Sequence, residues 1–234
     1  MKRFLLFSLC LFLLVTASAC TQNNSQPQPS GSSAPERSSQ QSSESEAQHT
    51  AVEKIEPNAG EVPDFLDEEQ QLLYRRAKTA YCQFRLNNDG FGSVNAPPLE
   101  EKLFETDYRV CNGAFTTWQE FEDAMLTLFT ADYFAELNDA SYTDSQGMHT
   151  RLHFAEHEGK LCFAEGARGS NITFIPPETF ELISKTDTEI QFYVVGKYWS
   201  ESPEETTPPT EEKQLLTMVL DNGQWKFSAF ALAY

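Results

Sequence analysis

The segment KQLLTMVLDNGQWKFSAFAL, residues 213–232, decides the fold. Two runs rich in Leu, Val, Phe and Trp, 213–220 and 225–232, flank Asp221-Asn222-Gly223. Asn and Gly tolerate the positive φ angles of a tight hairpin turn, so the two runs read as an antiparallel pair. Working back toward the N-terminus, 189–199 reads as another long strand, and 180–184 and 171–175 as two short ones. A further hairpin is expected where 149–156 and 160–164 flank Glu158-Gly159.

Before residue 149 the periodicity changes. In 67–86 the apolar positions Leu72, Leu73, Ala77, Ala80, Tyr81 and Phe84 have helical spacing. Asp67-Glu68-Glu69 suits the positive end of that helix, and Arg75, Arg76 and Lys78 come later in it. The Asn-, Gly- and Pro-rich stretch 87–98 reads as a loop and 102–111 as a strand. Thr117 and Glu120 form a capping-box pattern for a second helix that buries Trp118, Phe121, Met125, Leu128 and Phe129. Thr130 is positioned to cap a third, which turns Tyr133, Phe134 and Leu137 inward and closes at Asn138-Asp139. Helices first and strands afterwards predict an α+β fold, with N-terminal helices packed on a curved, mainly antiparallel sheet.

The beginning of the chain has a different character. Lys2 and Arg3, an apolar run over 4–15 and Ala17-Ser18-Ala19-Cys20 have the three-part layout of an export signal, assigned to 1–19. The run is shorter than the roughly 20 residues that a membrane-spanning helix requires. Cys20 resembles the lipid-modified cysteine of a bacterial lipobox, although Ala17 stands where a bulky aliphatic residue is usual; Ala17-Ser18-Ala19 also suits ordinary signal peptidase. Residues 20–63, rich in Ser, Gln, Asn, Pro and Glu, then read as a lipid-anchored disordered tether. As a random coil it would reach roughly 35–40 Å, enough to hold a domain clear of a membrane. Residues 64–234 are expected to form one globular domain on the extracytoplasmic face of the cell membrane.

Loss of 1–19 removes Lys2 and Arg3 from the 17 basic residues and none of the 35 acidic ones, leaving 15 against 35, a net charge of −20. A field of this sign disfavours nucleic acid, and any membrane role beyond the anchor, and favours basic partners. Past Cys20 the cysteines are Cys82, Cys111 and Cys162, without the close pairing of a zinc site. Cys82 with Cys111 is a possible disulfide, and three inert buried thiols are the alternative.

His149, His153 and His157 recur every four residues, a metal-like spacing on a helix. On a strand such positions lie roughly 13 Å apart, too far for one ion held by bonds of about 2 Å. Arg168, in the small-residue loop 166–171, could take a carboxylate through paired hydrogen bonds, or the glycines could serve a plain strand connection. Asn171-Ile172-Thr173 has the glycosylation pattern, a chance match in a bacterial lipoprotein. The stretch 200–212 carries Glu201, Glu204, Glu205, Glu211 and Glu212 among prolines, and reads as a projecting acidic loop able to enter a basic cleft or as solvated decoration. No paired carboxylates, catalytic triad or phosphate loop is legible, so a non-enzymatic role without a cofactor is expected.

At 117–138, at 159–171 and in the closing Asp221-Asn222-Gly223-Gln224-Trp225-Lys226-Phe227, the chain resembles the IseA family of D,L-endopeptidase inhibitors. Similar strings occur in cone-shaped domains resembling nuclear transport factor. The resemblance implies inhibition of NlpC-type cysteine peptidases that cut peptidoglycan stem peptides, hence a cell-wall hydrolase as partner. It carries no inhibitory residue onto a position here. The alternative is a small-molecule binder whose helices and curved sheet enclose a pocket lined by Phe and Tyr.

Overall fold

The computed structural model describes residues 50–164, 166–167, 172–200 and 208–233. The first long helix, α1 (Glu68–Arg85), starts at Asp67, whose carboxylate accepts from Gln70 N at 2.9 Å while Gln70 Oε1 accepts from Asp67 N at 3.2 Å. This reciprocal box satisfies two of the amides that a helix start leaves open. The buried stripe is Tyr74, Ala77, Ala80 and Phe84, with Leu72 turned outward, so it is rotated from the one expected. Helix α2 (Trp118–Leu128) is capped by Thr117, whose Oγ1 accepts from Glu120 N at 3.4 Å, but the expected box is not closed, because Glu120 Oε1 accepts from Lys54 Nζ at 2.9 Å; α3 (Ala131–Asn138) follows directly. Thr130 precedes α3 but makes no side-chain cap; its amide donates instead to Phe227 O at 2.9 Å.

The strands form an α+β fold with the helices, and among the described residues every strand-to-strand pairing is antiparallel. Among the described residues they are divided over four sheets. A four-stranded sheet has the order β11 (Gln224–Ala229), β10 (Thr210–Asp221), β9 (Glu189–Ser200), β8 (Ile172–Lys185). A three-stranded sheet joins β2 (Arg109–Val110), β6 (Lys160–Phe163) and β5 (Phe154–His157). Two ribbons complete the set: β3 (Tyr142–Asp144) with β4 (Gly147–His149), and β1 (Asn87–Asn88) with β7 (Gly166–Ala167). Both expected hairpin turns are present, with φ of 51° and 77° at Glu158-Gly159 and 51° and 83° at Asn222-Gly223.

Four further expectations about the elements and their bounds are corrected. The strand expected over 102–111 shrinks to β2, because Phe104 and Glu105 take positive φ in a turn closed by reciprocal hydrogen bonds between Leu103 and Thr106. The two short strands around 171–184 are one, β8, which runs through Pro176-Pro177 with a register shift between Ile175 and Thr179. The acidic loop is shorter than 200–212, since Ser200 ends β9, and Glu211 and Glu212 belong to β10, where Glu211 pairs with Lys197 at 3.6 Å. Finally, the domain begins before residue 64. Ala51, Val52 and Ile55 are buried, Arg75 Nη1 donates to Asn58 O at 2.8 Å and Gly60 O at 2.5 Å, and Thr79 Oγ1 donates to Glu56 O at 2.8 Å. Three apolar side chains at adjacent and i+4 positions suffice to seat a segment whose composition otherwise resembles a tether.

Two groups of packed rings lie within one apolar core. Phe121 lies 4.8 Å from Phe154 and 5.8–5.9 Å from Phe91, Phe134 and Phe115 by ring centroids. At the other end Tyr74 meets Phe180 and Phe230 at 5.6 Å, and Phe230 meets Phe227 at 4.9 Å. Edge-on and tilted contacts of this kind add stability beyond the area they bury. After β11 the chain continues across the sheet, where a side chain at Gly196 would place Cβ 2.3 Å from Ala233 O. Only glycine permits that approach.

Because Ile55 is 1% exposed, Ile55→Ala is expected to destabilise the domain by about 2–5 kcal/mol, read as a lowered urea midpoint. An unchanged midpoint would return residues 50–63 to the tether.

Candidate functional site

Cys20, Arg168, Glu201, Glu204, Glu205 and Asn171 all lie outside the described residues. Cys111 is a buried thiol free of any disulfide, so the bridge to Cys82 is not formed. Burial pushes the Cys111 thiol up to about 12, the opposite of what a nucleophile requires. Cys162 is likewise buried, with its thiol raised by desolvation.

The three histidines take part in separate local contacts. His149 stacks on Tyr142 at 4.8 Å and meets Asp144 Oδ1 at 3.0 Å within the β3–β4 ribbon. His153 packs edge-on against Phe84 at 6.0 Å, and His157 Nδ1 lies 3.3 Å from Glu101. The Asp144 carboxyl is held below its ordinary value, first by the Gln146 amide and then by His149. This ribbon displays the most exposed large apolar side chain among the described residues, Met148 at 75%, with Tyr142 at 53%.

Two arrangements escaped the sequence reading. In the first, Lys78 of α1 is ion-paired with Glu178 of β8, with both residues buried. Glu178 Oε1 is left buried with no hydrogen-bond partner. The signal was a lysine at i+4 from Tyr74 and i+1 from Ala77, inside the apolar stripe of an amphipathic helix. The pair joins a helix to a sheet strand 100 positions away in sequence.

The second is a cleft of about 140 Å³ beside α1. Val52, Leu72, Leu73, Leu128 and Trp225 form its apolar wall. Glu69, Gln70, Arg76, Thr127 and Gln224 supply polar groups, and Arg76 Nε is buried with no hydrogen-bond partner. Neither Lys78 nor Glu178 lines this cleft, so the ion pair and the cleft are separate features. Its walls come from residue 52 to residue 225, beyond what local spacing can reveal. The cleft differs from the Phe- and Tyr-lined pocket expected for a small-molecule binder, because the rings are packed against one another in the core.

Glu178→Gln should destabilise the protein by roughly 3–5 kcal/mol, since it leaves the Lys78 charge buried and uncompensated. Replacing the pair together, Lys78→Met with Glu178→Leu, should recover most of that loss in a urea titration. Equal stability of Glu178→Gln and the unaltered chain would show that the pair is energetically idle. No protein-family model matches the chain, and no curated protein matches it.

Proposed function

We propose that this chain acts by binding, as a lipid-anchored protein on the extracytoplasmic face of the cell membrane that inhibits a peptidoglycan D,L-endopeptidase. The observation that best supports a surface-acting role is the contrast between inside and outside. Rings from Tyr74 to Phe230 fill the interior, whereas Tyr142 and Met148 stand exposed on the β3–β4 ribbon. Exposed apolar side chains on a filled domain suit contact with a macromolecule. The net charge of −20 on the chain without 1–19 would draw it to basic wall enzymes and speed encounter, so a cleft can be covered without any chemistry. Small-molecule binding is the second reading, and the Arg76 cleft is the observation that favours it.

In a zymogram with the cognate D,L-endopeptidase, the purified protein should reduce clearing of cell-wall substrate. Changing Glu201, Glu204 and Glu205 together to Gln should weaken the effect, chiefly by slowing association at low salt. Undiminished clearing at large molar excess would remove the inhibitor reading. A fatty-acid probe supplied to growing cells should label the protein, and Cys20→Ser should abolish the label. An unlabelled parent chain would replace the anchored protein with a secreted one.

A further inference from the structure

The cleft bounded by α1, the end of α2 and β11 combines a desolvated guanidinium nitrogen with an apolar wall. We propose that it is a binding site for an apolar monocarboxylate, presented as the C-terminal residue of a peptide or as a short-chain acid. A buried N–H without an acceptor is unfavourable, and a carboxylate entering the cleft that Arg76 lines relieves it once the side chain shifts Nε toward the opening. The guanidinium is a planar fork that matches a carboxylate with two parallel hydrogen bonds.

The surroundings narrow the ligand further. Leu72, Leu73 and Trp225 lie beside Arg76 and favour an apolar body next to the charged end. At about 140 Å³ the space is below the roughly 300–1,000 Å³ of cavities that enclose drug-sized molecules, so it suits one residue-sized group. Glu69 precedes Arg76 by two helical turns, about 10 Å along α1, and its carboxylate opposes a dianion such as phosphate more than a singly charged acid. Gln70, Thr127 and Gln224 offer neutral hydrogen-bonding groups to the amide that precedes a peptide terminus.

The test is calorimetric titration of the full chain with N-acetyl-leucine and with hexanoate. N-acetyl-leucine methyl ester and inorganic phosphate are titrated in parallel. At least one acid should bind saturably, with a dissociation constant on the order of 1 mM for so small a group. The ester and phosphate should bind far more weakly. Arg76→Gln should weaken the acid by roughly 10- to 100-fold. Binding of N-acetyl-leucine alone assigns a peptide terminus, and binding of hexanoate alone a free acid; both outcomes uphold the site. Absence of saturable binding by either acid would overturn it, as would ester or phosphate binding equal to the acid, or an unchanged affinity in a folded Arg76→Gln protein. The ester comparison uses the unaltered chain and decides the matter if the variant does not fold. No peptidase enters the titration, so its outcome is separate from that of the clearing assay.

Discussion

Helix α2 is held at both ends by main-chain hydrogen bonds to different sheets, and the placement of the other elements depends on this double attachment. At its start Trp118 N donates to Gly159 O at 3.1 Å and Leu161 N donates to Thr116 O at 3.1 Å, joining it to the β5–β6 hairpin. Beyond its end Thr130 N reaches Phe227 O in β11. The first attachment uses the three-stranded sheet and the second the four-stranded one. Main-chain bonds set where the helix lies along its axis, while Phe121, fully buried amid six other rings, sets its rotation. Neither would hold alone: an eleven-residue helix is marginal in water and takes its stability from the face it packs.

Polar groups inside this aromatic core follow the same division between position and orientation. Asn138 uses its side-chain amide as an extra strand would, donating to Phe154 O at 2.9 Å and accepting from Phe154 N at 2.8 Å. Asn88 donates to Ala164 O and His153 O, and receives Gly90 N. These side chains satisfy main-chain groups at the ends of short strands, where a ladder is too brief to do so. The Lys78–Glu178 pair is different in kind. It is incompletely satisfied, and a well-packed apolar pair could match its stability.

Much of this architecture was legible in the sequence, for local reasons. Asn222-Gly223 and Glu158-Gly159 specify their turns through φ alone, and Asp67 and Thr117 announce helix starts through side-chain oxygen at the right distance. Elements that depend on distant partners were not legible. Two short strands, 171–175 and 180–184, were expected, yet β8 is an edge strand, where the missing amides of Pro176-Pro177 cost little, and it continues past them with a shifted register. The segment 50–63 has a tether's composition and is anchored by only a few side chains and main-chain carbonyls, a signal too sparse for averages over a window. The cleft at Arg76 needed the fold itself, because a basic residue on a helix flank ordinarily points to water.

The close approach at Gly196 also constrains the order in which the protein can be completed. Residues 230–233 follow every strand of the four-stranded sheet in the chain, yet Phe230, Leu232 and Ala233 are part of the same apolar cluster as Phe192 and Phe227. Synthesis proceeds from the N-terminus, so the cluster stays open on that side until residues 230–233 emerge. A chain in which residues 230–233 have not yet docked would therefore display aromatic surface that the folded domain conceals. Chaperones and proteases would have a basis for distinguishing an incomplete copy from a complete one.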